Sequence, residues 1–316
     1  MYFRLSYIVR DFELRDAEIS VSDPAKQIDL VISRRPIDDT NPPSQPNQAV
    51  AVATCQRDLP ARHHNKAVSS GILSCRRGIV GQVHGELRDM ILHTLRLARW
   101  KANWSKGGPD PIQWAREFSW SFDGKAWRRV ADTLSISLEF GSPIHWTDDD
   151  LQFVRTNVLG ELDEPLAHQL LREAAVNRTD NLRSSLVLAV AAAEVGFKHF
   201  VSKALPDTDW ILQKLPSPPL ETMLKSFPWS KLAVRIYGKV PSIPESMTEE
   251  LIKAVKLRNQ IVHLGALEGG TKLKRETVDS VLTAVRDLLY FLDALLGQTW
   301  AVSNMSAAAV KQLYQP

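Results

Sequence analysis

At Thr147 the apolar residues change period, and that change constrains the chain more than any other feature of it. Before it, "YFRLSYIV", "AEISVSD" and "QIDLVISRR" carry β-branched and aromatic residues in partial alternation, the period of strands with one buried face. After it, "TDDDLQFVRTNVL" offers Thr147 as an N-cap, acidic residues in a first turn, and then helical spacing. Only helical patterns follow: "EPLAHQLLREAAVN", "DNLRSSLVLAVAAAEVGFKHFVSKAL", "PLETMLKSF", "TEELIKAVKLRNQIVHL" and "RETVDSVLTAVRDLLYFLDALLG", with Asp180, Thr248 and Gly297 as expected ends. Strands first and helices afterwards describe an α+β chain, a strand-rich mixed domain over 1–147 followed by an all-helical bundle over 148–316. With 316 residues, 44% of them hydrophobic, there is enough apolar material for two cores.

The first domain has further punctuation. Arg34 to Gln48, "RRPIDDTNPPSQPNQ", reads as a long exposed loop ahead of a strand in "AVAVATC". "ELRDMILHTLRLARWKANW" fits an amphipathic helix, whereas Asp123-Gly124 in "FSWSFDGKAWRRV" is the strongest hairpin signal in the chain, with "LSISLEFGSPIHW" as another strand. No fixed-period repeat suggests a solenoid. A net charge of +3 permits a nucleic-acid partner without requiring one, and two cysteines exclude a disulfide framework. The opening "MYFRLSYIVRDFEL" lacks the apolar core of a signal peptide, so a cytoplasmic location is expected. The most apolar run, Leu186 to Phe197, is short for a bilayer and contains Glu194, with Arg183 and Lys198 nearby, so no membrane partner is expected.

Chemistry concentrates in "KLRNQIVHLG", Lys256 to Gly265, where Arg258, Asn259 and His263 interrupt an apolar helix. The plain reading is punctuation, with Gly265 as a C′ stop and His263 complementing the helix dipole. On a helix, however, Asn259 and His263 share a face, and the long side chain of Arg258 starts about a third of a turn aside. An imidazole moves protons near neutral pH and a guanidinium holds phosphate oxygens in a fork. His263 would then act as general base or acid on a ribose 2′-hydroxyl or a leaving 5′-oxygen, Arg258 would offset charge on the phosphorane, and Asn259 would orient the ring or bond the phosphate. Such chemistry implies no metal or cofactor. Two copies meeting across a twofold axis would pair the arginines and histidines in one cleft, so a homodimer is expected.

"LRNQIVH" resembles the R-x4-6-H motif of HEPN domains, with Asn259 as the polar residue that often follows the arginine. The long upstream helix with an embedded acid, "VLAVAAAEVGFKHFV", the proline-containing "PSPPLETMLK" and the closing amphipathic helix are similar in layout to an Apea-type HEPN domain over roughly Asp163 to Gly297. The resemblance implies a metal-independent endoribonuclease, usually dimeric, often a toxin or antiphage defence effector acting on RNA. By the same analogy the first domain would sense a phage-derived or regulatory ligand. The alternative is a HEPN-like bundle without catalysis that dimerises and binds a ligand or RNA.

Other residues compete. "RDMILH", Arg88 to His93, has the same spacing, and Arg57 with His63 or His64 and Arg77 with His84 fit it loosely, although none lies in the helical half. Glu194 would be costly to bury alone and is expected to face Arg258 or Lys198, either positioning the arginine or forming a purely structural pair. His199 reads as a surface or satisfied core histidine. Cys55, His63, His64 and Cys75 match no common zinc spacing. Trp100, Trp104, Trp114, Trp120, Trp127 and Trp146 lie among Arg99, Lys101, Lys106, Arg116 and Arg128; a stacking surface for single-stranded nucleic acid is one reading, an aromatic core the favoured one.

Overall fold

The computed structural model describes residues 1–9, 12–13, 18–33, 49–58, 78–103, 112–129, 144–145, 147–160, 162–205, 219–226, 243–264, 267 and 272–314. The chain divides into two compact units, Met1–Asp163 and Glu164–Pro316.

In the first unit, alternating segments become β1 (Tyr2–Val9), β2 (Phe12–Glu13), β3 (Ile19–Asp23), β4 (Ile28–Ser33) and β5 (Ala49–Gln56), joined later by β6 (Ile112–Ser121), β7 (Arg128–Arg129) and β8 (Ile144–His145). Six of them form an antiparallel sheet in the order β3-β4-β5-β1-β6-β7. Its register aligns buried residues in rows, Leu30–Ala53–Leu5–Phe118 and Ile28–Cys55–Phe3–Trp120, so the period-two pattern yields one continuous apolar face. Helix α1 (Ile79–Lys101) packs on β1, β4 and β5, burying Val83, Leu87, Ile91 and Ala98. It begins several residues before the expected segment.

Helix α2 (Asp148–Asn157) starts where expected, with Thr147 and Asp150 forming a reciprocal capping box. It nevertheless belongs with the strands. Leu151 and Val154 are buried, Phe153 meets Trp100 edge-on at 6.1 Å, Lys101 Nζ lies 2.6 Å from Asp149, and Arg155 donates to the Glu18 carbonyl of the strand layer. The seam between units therefore falls at Asp163/Glu164 and not at 147/148, because period change marks where helices begin, not which core they join.

The expected hairpin forms around Asp123-Gly124. Gly124 takes φ +75°, and Asp123 Oδ1 accepts from Ala126 N (3.0 Å), Lys125 N (2.9 Å) and Ser121 Oγ (2.8 Å). These donors hold the Asp123 carboxyl down at about 2. Of "LSISLEFGSPIHW" only Ile144–His145 is described as strand, pairing in parallel with Phe12–Glu13; the loop expected over Arg34 to Gln48 lies outside the described residues.

The second unit comprises α3 (Leu166–Asn177), α4 (Leu182–Ala204), α5 (Leu220–Ser226), α6 (Glu245–Leu264), α7 (Arg275–Leu295), a 3-10 turn (Thr299–Asn304) and α8 (Ala307–Tyr314). Asn181, rather than Asp180, caps α4 by accepting from Ser184 N. Helix α6 begins at Glu245, so Thr248 is an interior residue whose hydroxyl donates to the Pro244 carbonyl. Gly297, at φ +97°, ends α7 as expected. Helix α4 packs against α3, α6 and α7 and buries Leu186, Ala189, Val190, Ala193, Phe197 and Phe200. By length and composition alone its 23 residues could cross a membrane, since helicity extends well beyond the apolar run at its centre, but half of its most apolar window is buried in the unit. Small residues permit this approach: a Cβ on Gly196 would lie 2.1 Å from Leu289 Cδ2 and 3.2 Å from Ala167 Cβ.

Candidate functional site

Helix α6 turns Met247, Leu251, Ala254 and Val255 inward, and helical periodicity places Arg258 on the same stripe one turn later. An apolar residue there would simply extend the core. Instead the guanidinium Nη2 donates to Glu194 Oε1 of α4 in an ion pair whose side chains are 23% and 31% exposed. The expected partnership of Glu194 with Arg258 is thus present. Lys198, one turn further along α4, is half-buried and forms no ion pair among the described residues.

Asn259 and His263 are exposed on the outer face of α6. They are four residues apart and so lie within about 40° of one another in azimuth, while Arg258 and His263, five apart, diverge by about 140°. One chain consequently separates the guanidinium from the imidazole. Around His263 the final turn also leaves Val262 54% and Leu264 68% exposed, an apolar rim beside polar groups. Gly265, the expected stop, lies outside the described residues.

No family model, no curated protein and no solved structure matches this chain. The site is therefore read from its own residues.

The competing pairs are occupied by other contacts. His93 Nδ1 is 3.5 Å from Asp163, His84 packs edge-on against Phe118 at 5.0 Å, and Arg57 is bound to Glu86 at 2.7 Å. Arg77, His63, His64 and Cys75 are outside the described residues, within which no three metal-ligating side chains cluster. Cys55 is buried in the sheet, and burial pushes its thiol up to about 11. Trp100 and Trp120 are core residues, whereas Trp127 is half-buried beneath Arg4, whose guanidinium sits 4.4 Å from the ring centroid. Trp104 and Trp146 fall outside the described residues, and the side chain of Trp114 is not among them.

One polar group escaped the sequence reading. His168 Nε2 lies 2.8 Å from Asp293 Oδ2, joining α3 to α7, and the His168 ring is 4.8 Å from that of Tyr290. Beside them Arg172 pairs with Glu164, and burial, reinforced by the Asp293 charge, drives the Tyr290 phenol well above its ordinary range. The available signal was Asp293 within the otherwise apolar "LLYFLDALL", since a carboxylate in such a run requires a partner. His199 is half-buried near this group, and burial, then Lys203, lowers its pKa.

Proposed function

We propose that the protein is a metal-independent endoribonuclease of HEPN type, cytoplasmic, and active as a homodimer in the manner of a toxin or antiphage defence effector. The observation that carries the reading is Arg258 held by Glu194 at the end of the inward stripe of α6, with Asn259 and His263 open to solvent on the adjoining face. Glu194 engages Nη2 through one hydrogen bond, and a guanidinium has five N–H donors, so the pair orients the fork while leaving donors for a phosphate.

The roughly 140° between Arg258 and His263 makes a second copy part of the mechanism. Two chains meeting along the ends of α6 would cover Val262 and Leu264 and bring two imidazoles and two guanidinia to one phosphate. One His263 would remove the ribose 2′-hydroxyl proton as the 2′-oxygen attacks phosphorus. The second would protonate the departing 5′-oxygen, leaving a 2′,3′-cyclic phosphate and a 5′-hydroxyl. Arg258 and Asn259 would take up the charge gathering on the phosphorane oxygens.

RNA incubated with purified protein is expected to yield 2′,3′-cyclic phosphate ends, with a loss of about 10²- to 10⁴-fold in His263→Ala. Undiminished cleavage in that variant would overturn the mechanism. The second reading, a bundle that dimerises and binds without cutting, is favoured by one feature, the neutralisation of Arg258 by Glu194. An inactive wild type that is dimeric by sedimentation would establish that reading.

A further inference from the structure

The tip of the β6–β7 hairpin carries a feature that the α6 site does not use. Phe122 is 51% exposed and meets the edge of Trp120 at 5.0 Å, although Trp120 itself is buried. Across the strand pair, Arg128 is the register partner of Trp120 and lays its guanidinium 5.2 Å above that ring. Arg128 and Lys125 are both exposed. The carboxylate at this tip, Asp123, is already committed to Ser121 and to the backbone N–H groups of Lys125 and Ala126. An aromatic side chain and cations thus stand together beside β7, the last of the described strands of the sheet on that side.

We infer that this corner binds single-stranded RNA, with Phe122 stacking on a base and Arg128 and Lys125 holding the flanking phosphates. The choice of RNA over DNA rests on the nuclease reading; the stacking and charge arguments do not. Aromatic residues are often exposed singly, but here three conditions coincide. The Phe122 ring meets a buried tryptophan edge-on, the Arg128 guanidinium lies over that tryptophan's ring, and over 122–129 Lys125, Arg128 and Arg129 outweigh the one carboxylate, Asp123. Bases supply π-faces and phosphates supply the complementary charge, which a neutral apolar partner would not.

The test is fluorescence anisotropy with short labelled oligo(U) and oligo(dT), performed on the full chain carrying His263→Ala so that cleavage cannot affect the readout. Phe122→Leu, which keeps the bulk and removes the π-face, is expected to weaken oligo(U) binding about tenfold without changing the melting temperature. Phe122→Trp should retain or tighten it. Lys125→Gln with Arg128→Gln should flatten the log–log salt slope by about 0.7 for each phosphate contact removed. Equal binding of oligo(dT) would overturn the RNA preference while leaving the stacking surface in place. Absence of binding, or binding indifferent to all these variants, would overturn the inference; so would capture of a poly-glutamate peptide with equal affinity. None of these outcomes bears on His263, which is read by cleavage alone.

Discussion

Among the polar pairs that join helices of the second unit, two differ sharply in how far water reaches them. His168–Asp293, between α3 and α7, has side chains 4% and 7% exposed; Arg258–Glu194, between α6 and α4, has 23% and 31%. Low-dielectric surroundings strengthen the first attraction but impose a desolvation cost, so breaking it is expensive. The second stays within reach of solvent and can exchange partners at modest cost. The buried pair is consequently suited to fixing helix registry, and the half-exposed pair to meeting a ligand.

The comparison breaks most visibly at the buried end. Asp293→Ala is expected to destabilise the protein by about 3–5 kcal/mol, because His168 Nε2 would lose the carboxylate it faces in a nearly dry setting. Urea denaturation followed by far-UV circular dichroism measures this. Replacing both, His168→Leu with Asp293→Leu, should cost less than the single change, since neither member of the pair is left facing an apolar side chain. A single-variant loss below about 1 kcal/mol would place the two pairs in the same class.

A smaller effect sharpens the contrast between two sides of α4. Glu194 reaches α6, while two residues later Gly196 sits against Leu289 of α7 and Ala167 of α3. In Gly196→Ala the better helix propensity contributes about 1 kcal/mol, whereas forcing a Cβ against buried Leu289 costs about 1–3 kcal/mol. A net loss of about 1 kcal/mol is expected, and it should vanish or reverse when Gly196→Ala is made in a Leu289→Ala background. Stabilisation would mean that Leu289 moves freely and that this side of the helix is not tightly packed.

Near the same buried pair, His199 yields a pH signature. Its folded pKa is depressed, chiefly by burial and then by Lys203, so below the unfolded value of about 6.5 the unfolded chain binds more protons than the folded one. Stability should decline as pH falls through that region, and His199→Gln should flatten the decline. An unchanged profile in the variant would assign the slope to another group.

How much of this was legible depended on the range of the physics involved. Local rules sufficed for the capping box at Thr147, the Asp123-Gly124 turn and the stop at Gly297, since a few neighbouring residues decide them. The partial alternation of β1, β3 and β4 was equally readable because one face of each is buried more fully than the other, whereas β5 is buried on both faces. Ownership of α2 was not, because Leu151 and Val154 would suit any apolar neighbour and only the fold supplies Trp100 and β3. For the site, a charge on an apolar helix was enough to call for a partner to Glu194 and to narrow it to Arg258 or Lys198; the fold selects Arg258. The same argument applied to Asp293 calls for a partner, but only the packing of two helices far apart in sequence identifies it as His168. The divergence of Arg258 from His263 was implicit in their separation by five residues, and a second copy was already expected on the sequence alone; what the fold adds is that Arg258 continues the inward stripe of its helix while His263 lies on the exposed face.

The smallest stability effect carries the sharpest distinction between the pairs. In a double-mutant cycle on Glu194→Gln and Arg258→Gln, the coupling energy is expected to be about 0.5–1 kcal/mol, as for a pair open to water. Coupling of about 3 kcal/mol or more would make this a structural clamp like His168–Asp293 and would remove the reason to think that Arg258 can turn to a phosphate. If coupling is weak, Glu194→Gln becomes informative about cleavage. A positioning carboxylate should, when neutralised, lower kcat while the fold remains intact, because the guanidinium loses its fixed aim. A carboxylate that merely neutralises Arg258 should instead, once removed, tighten RNA binding and lower KM, since one negative charge no longer competes with the phosphate. The direction of change in each parameter therefore decides between the two roles without requiring a large change in stability.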